Sequence, residues 1–165
     1  MTRYLVTESD GHCYGYASPA AALENAGAGA TILATDDGAT TRPLTDAEAV
    51  VRTTRHRPGS RYDYDFTLCS PVRTCRWAQM DTEADAPWFG QWANPFTRTV
   101  IAFAEGDETT TRCADDERFV AELRRIATWH DEHNRWKGID AWNDPLAVRF
   151  AAIGAGDLLH QPPSS

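Results

Sequence analysis

The stretch Tyr62-Asp63-Tyr64-Asp65-Phe66-Thr67-Leu68 decides the fold of this sequence. Its large apolar side chains fall on every second residue, with aspartate or threonine between them. Side chains alternate between the two faces of a β-strand, so this pattern predicts a strand with one face in a core and the other in water. We therefore expect a β-sheet in the middle of the chain.

Further strands of this sheet are expected at residues 75–80, 88–92, 97–104 and 108–112. The connections between them are short and carry turn signals, which favours antiparallel pairing. Residues 100–104 are apolar almost throughout, which predicts a central strand covered on both faces. Residues 108–112 are polar throughout, which predicts an edge strand.

The N-terminal part of the chain predicts a small lobe of order ββαββ. Asp10-Gly11 and Asp36-Asp37-Gly38 each separate two strand-like runs, and Asp-Gly in this setting is a strong hairpin signal. Between the two hairpins, Ser18-Pro19 begins an alanine-rich helix, because serine caps helices and proline fits their first position. This opening, with Tyr4 and Val6 in its first strand, resembles short N-terminal modules of bacterial, phage and plasmid proteins. The resemblance covers residues 1–45 and implies no activity.

The lobe is followed by a short helix and a basic segment. Thr45-Asp46-Ala47-Glu48 is a capping box, which predicts a helix to about residue 52. Residues 52–61 are rich in arginine and contain Pro58-Gly59, so we expect a loop there, at the boundary between two lobes.

Two helices are expected after the sheet. Asp115-Asp116 can cap a long helix over residues 117–133, and Asp144-Pro145 begins a short helix that ends at Gly154. The long helix has one apolar stripe, formed by Phe119, Val120, Leu123, Ile126 and Ala127. The predicted class is α+β, with an N-terminal ββαββ lobe and an antiparallel four- to five-stranded sheet packed against a long C-terminal helix and a short helix. The lobe spans residues 1–54 and the sheet with its helices residues 62–160, as two units or one continuous domain, with a tail at 161–165.

Charge is the strongest feature of the composition. The chain has 24 acidic and 16 basic residues and a net charge of −8. Phosphate backbones repel such a surface, so direct nucleic-acid binding is disfavoured. Lys137 is the one lysine among many arginines, a bias typical of bacterial or phage coding. The sequence contains no apolar stretch of signal-peptide or membrane-span length, which predicts a cytoplasmic protein and no membrane contact.

Catalytic motifs are missing from the sequence. It contains no G-x-S-x-G, no G-x-x-x-x-G-K-[ST] and no G-x-G-x-x-G, so neither a hydrolase elbow nor a nucleotide cradle is predicted. No cofactor is expected. The sequence does not specify a substrate, a named partner or an oligomeric state.

An aromatic and acidic cluster is the best candidate for binding a protein partner. If residues 88–92 form a strand, Trp88 and Trp92 share one face and Phe89 lies on the other, so one face is available to a partner. The neighbouring turns are acidic and fall at one end of the sheet, with Asp81, Glu83, Asp85, Glu105 and Asp107. The hypothesis is a small acidic interaction protein, in its concrete form a nucleic-acid-mimicking inhibitor. An ordinary core strand and solvated loop acids give the same pattern.

The alternative hypothesis is a small metal-dependent or acid–base hydrolase. His130 and His133 are three residues apart near a helix end and so lie close together on its surface. Zinc would need further ligands from elsewhere in the chain, and the acids of the sheet turns could supply acid–base groups. Polar residues on a last helical turn give the same spacing.

Overall fold

The computed structural model describes residues 1–56, 76–80, 90–104 and 107–160. The first of these ranges begins with a three-stranded antiparallel sheet of β1 (Arg3–Thr7), β2 (Cys13–Tyr16) and β3 (Thr31–Thr35), in the order β2-β1-β3. Helix α1 (Pro19–Asn25) is capped by the Ser18 side chain, which accepts a hydrogen bond from the Ala21 N–H. Its buried Ala22 and Leu23 pack on the apolar residues of β1 and β3, as the sequence predicts.

The expected fourth strand of the lobe is reduced to a single bridge between Ala34 and Arg42. The reason is local, because the Asp37 carboxylate accepts hydrogen bonds from the backbone N–H groups of Ala39 and Thr40, both at 2.8 Å. These bonds hold the chain in a turn. Pro43 follows at once and has no N–H with which to continue a ladder.

The second sheet has five antiparallel strands in the order β4-β8-β7-β6-β5. The strands are β4 (Val50–His56), β5 (Ala78–Gln79), β6 (Gly90–Asn94), β7 (Thr99–Ala104) and β8 (Asp107–Cys113). Strand β7 lies in the middle, which confirms the interpretation of its apolar sequence. The expected strand at residues 62–68 lies outside the described residues.

Two sequence-based expectations about this sheet are wrong. Residues 52–56 are not loop, because they belong to β4, which continues directly from the capped helix α2 (Asp46–Ala49). Strand β8 is not an edge, because it pairs with β4 on one side and β7 on the other. The polar sequence of β8 was misleading because its neighbour β4, the outermost strand among the described residues, is also polar. The division into residues 1–54 and 62–160 stays a prediction, and its first boundary falls inside β4.

Helices α3 (Asp116–Glu132) and α4 (Asp144–Ala152) are capped by the side chains of Asp115 and Asn143. They cover one face of the five-stranded sheet. The largest core cluster joins the two helices to the sheet through buried side chains, among them Met80, Val100, Phe119, Leu123, Leu146 and Phe150. Together the described elements confirm the predicted α+β class. None of the helices in the described ranges combines the length and the apolar character needed to cross a membrane.

The strand register separates the two faces of this sheet. Arg52, Thr111, Val100, Ala93 and Ala78 follow one another across the strands and face the helices. Side chains one position away in each strand therefore lie on the opposite face. That face carries a smaller aromatic cluster and a run of polar residues.

Glu122 of α3 is buried beneath the edge of the helix-covered face. Its carboxylate accepts a hydrogen bond from Arg52 of β4 at 2.6 Å and another from Arg125 at 2.6 Å. Burial by itself would raise the pKa of Glu122, but the hydrogen bond from Arg125 and the charges of Arg125 and Arg52 hold this pKa below its ordinary value. The folded state therefore stabilises the ionised form of Glu122.

Replacing Glu122 by glutamine is expected to lower the free energy of unfolding at pH 7 by about 1–3 kcal/mol, because charge-assisted hydrogen bonds are lost at a buried site. A carboxyl whose pKa is lowered in the folded state stabilises above its unfolded-state pKa and stops doing so as the pH falls through the folded-state value. The native protein should therefore lose stability below about pH 5 more steeply than Glu122→Gln. Urea unfolding at a series of pH values measures this. The control is Glu117→Gln, an exposed residue of the same helix; equal pH slopes in all three proteins would contradict the ion pair.

Candidate functional site

Trp92 is part of the protein core. It is 3% exposed on β6, packs with Ile101 and Phe103, and stacks on Trp142 with ring centroids 6.3 Å apart. Its indole therefore contributes packing and not accessible surface. Trp88 and Phe89 lie outside the described residues, so the aromatic partner-binding set stays a prediction.

Of the predicted acidic residues, Asp107 is described. It begins β8, is exposed, and its carboxylate lies 2.9 Å from Nδ1 of His56 on the neighbouring strand. An exposed pair of this kind contributes little to stability. The other acids of the set, Asp81, Glu83, Asp85 and Glu105, lie outside the described residues.

The two candidate metal ligands each have one ring nitrogen in a hydrogen bond. His130 is 4% exposed, and its Nε2 lies 2.6 Å from the Gln91 side-chain oxygen, to which it donates. His133 is exposed, and its Nδ1 donates to the Trp129 carbonyl at 2.7 Å. A proton on one ring nitrogen leaves metal binding to the other nitrogen of the same ring. Across the described ranges, no group of three histidine, cysteine, aspartate or glutamate side chains could hold a metal ion.

Cys113 is a poor nucleophile. The thiol is 4% exposed at the end of β8, and burial, followed by the negative charge of Glu122, raises the pKa of Cys113 to about 12. Because the thiolate is the reactive form, this cysteine is inert at neutral pH. Cys113 has a structural role, as part of the core packed against α3.

The last turn of α3 forms an exposed aromatic surface. Trp129 is 45% exposed, and its ring stacks on His133 with centroids 4.0 Å apart and meets His130 edge-on at 5.0 Å. Beside it lies a groove of about 190 Å³ lined by Gln91, Arg125, Ile126 and Trp129. Glu132 is exposed and, three residues further along the helix, is a neighbour of Trp129 on its surface. We call Gln91, Arg125, Trp129, Glu132 and His133 the Trp129 surface.

The position of Trp129 on the helix carries a signal that sequence reasoning missed. The residues of α3 that face the core include Phe119, Leu123, Ile126 and His130. Trp129 falls just outside this stripe, so a large aromatic residue at that position is exposed. From the sequence, only His130 and His133 of this stretch are identified as candidate site residues. Gln91 links the surface to β6, the strand that carries part of the predicted aromatic segment.

Comparison with known proteins adds no assignment to this geometry: the chain matches no family model, no curated protein and no solved structure.

Proposed function

We propose that the protein binds a basic segment of a protein partner through the Trp129 surface. The observation that supports this is the exposure of Trp129 beside a groove. Arg125, which also lines the groove, is neutralised by its ion pair with Glu122. Tryptophan is among the residues most enriched in binding hot spots, and an exposed indole held by a stacked neighbour loses little entropy on binding. The flat face of an indole also attracts guanidinium and ammonium groups.

A carboxylate beside Trp129 favours a cationic partner. Glu132 is exposed at the C-terminal end of α3, three residues from Trp129. A carboxylate at this end is opposed by the helix dipole. An arginine or lysine of a partner would neutralise it.

The concrete form of the proposal is an inhibitor of bacterial, phage or mobile-element origin that occupies the nucleic-acid-binding site of a basic protein. The net charge of −8 supports this form, because it attracts a basic surface over a range set by the ionic strength. Asp81, Glu83, Asp85, Trp88 and Phe89, which lie outside the described residues, stay predicted partner-binding residues. A role in binding another protein also agrees with the lack of catalytic motifs in the sequence.

Replacing Trp129 by alanine is expected to weaken binding of a short arginine-rich peptide by about tenfold or more, because the hot-spot ring is removed. Fluorescence anisotropy of the labelled peptide measures the affinity. Tyr14→Ala is the matched control, since Tyr14 is 50% exposed on β2 and lies outside the Trp129 surface. Glu132→Gln should also weaken binding, and this loss should be larger at low salt than at high salt because salt screens the charge.

Two outcomes contradict the proposal. One is an unchanged affinity of Trp129→Ala; the other is an equal loss in Trp129→Ala and Tyr14→Ala, which indicates nonspecific charge attraction. The inhibitor form has its own measurement, which is competition between this protein and a DNA duplex for a basic DNA-binding protein. If the duplex is not displaced while the arginine-rich peptide still binds, that form is wrong and the peptide-binding proposal stands.

A further inference from the structure

A polar pocket lies on the face of the five-stranded sheet opposite α3. Its volume is about 330 Å³, and residues of α1 and the following turn, Leu23, Glu24 and Ala26, form one wall. The floor is the sheet itself, where the register places Arg112 beside Thr99 and Thr99 beside Asn94. The next row contains Thr53, Thr110 and Ile101. All of these floor residues line the pocket.

Two arginines of this pocket differ from most others in the described ranges. Arg42, Arg52, Arg98, Arg118, Arg124, Arg125 and Arg149 each form an ion pair with a carboxylate. Arg55 and Arg112 form none within the part of the chain that the structure describes. Arg112 is partly buried, where a guanidinium is normally paired, whereas Arg55 is exposed. In a chain with eight surplus negative charges, an arginine that forms no ion pair among the described residues at the floor of a pocket favours an anionic ligand.

Asn94 adds hydrogen-bond donors beside Arg112. It is 5% exposed, and its side-chain oxygen accepts from the backbone N–H groups of Phe96 and Thr97 at 3.0 and 3.1 Å. These two bonds fix the orientation of the amide, so its NH₂ group is directed away from them. That NH₂ donates to no residue in the described ranges. A buried amide of this kind normally has an acceptor, which a ligand can provide.

The threonine pair in the next row is likewise free to bind a ligand. On the opposite face of the sheet, the Thr54 and Thr109 hydroxyls lie 3.0 Å apart and bond each other. Thr53 and Thr110 are also direct cross-strand partners. Their hydroxyls make no hydrogen bond within the described residues. They point into the pocket and can each donate to or accept from a ligand hydroxyl.

We propose that this pocket binds a small hydroxylated organic oxyanion, a carboxylate or a phosphate monoester. The anionic group lies against the Arg112 guanidinium and the Asn94 NH₂, and the ligand hydroxyls bond Thr53 and Thr110. Trp77 and Ile101 contact its carbon skeleton. Glu24 and Glu108, which also line the pocket, repel a second anionic group. The volume is in the range of small-molecule sites.

The test is a titration of ¹⁵N-labelled full-length protein followed by NMR, with glycerate, glycerol phosphate and uncharged glycerol as probes. Saturable shifts of the backbone amides at residues 94, 99 and 110–112 are expected with at least one anion and none with glycerol. The anion that binds more tightly identifies carboxylate or phosphate as the natural group. Arg112→Met should weaken this binding by about tenfold or more, because a charge-assisted hydrogen bond is lost. Arg124→Met is the control, since Arg124 pairs with Asp157 on the other side of the sheet.

The proposal is overturned if neither anion gives saturable shifts at about 10 mM, a concentration above weak metabolite affinities. It is also overturned if Arg112→Met and Arg124→Met bind alike. Dispersion of the amide spectrum reports whether Arg112→Met is folded. If it is not, Thr110→Val takes its place, because it removes one hydroxyl and keeps the β-branched shape. Its affinity should fall several-fold, and an unchanged affinity overturns the proposal.

Because the Trp129 surface lies on α3, we expect peptide binding to be unchanged in these pocket variants. Either proposal can therefore fail without the other.

Discussion

Phe119→Ala is expected to lower the free energy of unfolding by about 3–5 kcal/mol, the cost of removing a fully buried phenyl ring. Phe119 is 0% exposed in the first turns of α3 and packs in the cluster that joins α3 and α4 to the sheet. The surrounding side chains are held by two helices and several strands, so they cannot collapse into the space. Urea unfolding followed by tryptophan fluorescence gives the change directly.

Val148→Ala is the control for this experiment. Val148 lies on α4 and is 67% exposed, so its removal should change stability by less than about 0.5 kcal/mol. A loss below about 1 kcal/mol for Phe119→Ala would contradict the packing of α3 on the sheet. The Trp129 surface depends on the same packing, because α3 positions Trp129 against Gln91. Phe119→Ala should therefore also weaken peptide binding.

Gly138→Ala is expected to cost about 4 kcal/mol or more, among the larger effects of a single substitution. Gly138 has a φ of +102°, and an added Cβ would lie 2.5 Å from the His160 Cα and 2.6 Å from its nitrogen. That backbone cannot move away freely, because the His160 N–H donates to the Ile139 carbonyl at 2.9 Å and the Ile139 N–H to the Leu158 carbonyl at 2.8 Å. The substitution should release the C-terminal segment and expose Leu158.

Gly154→Ala separates the two causes of this effect. Gly154 has a φ of +90°, but a Cβ added there meets nothing within 4 Å. It should therefore cost only the backbone strain, about 1–2 kcal/mol. Thermal and urea unfolding of both variants measure the difference. Equal losses would show that the contact between residue 138 and residue 160 is not formed in solution.

Much of the fold was predictable because its signals are local. The caps at Ser18, Thr45 and Asp115 and the apolar stripe of α3 each depend on residues within one or two turns of chain. Side-chain period and capping chemistry act at that range, so they can be identified without knowledge of the tertiary structure. The strand β7 was predicted for the same reason.

The candidate sites were less predictable. Trp92 was expected at a partner surface and lies in the core, whereas Trp129 was passed over and is exposed. A period-two pattern separates two strand faces but does not say which one is covered. His130 and His133 show the same limit, since their spacing places them near each other on the helix but does not specify that His130 is bonded to Gln91 and His133 to the Trp129 carbonyl.

The sequence by itself determined the α+β class, the helix caps, the first hairpin turn and the acidic charge, because each follows from neighbouring residues or from composition. Only the tertiary structure decided that β8 lies between β4 and β7, that Trp129 is left outside the core, and that Arg112, Asn94, Thr53 and Thr110 line one pocket. These features depend on pairing between strands far apart in the chain. The energy of such pairing resides in cross-strand contacts and burial, which no single segment specifies.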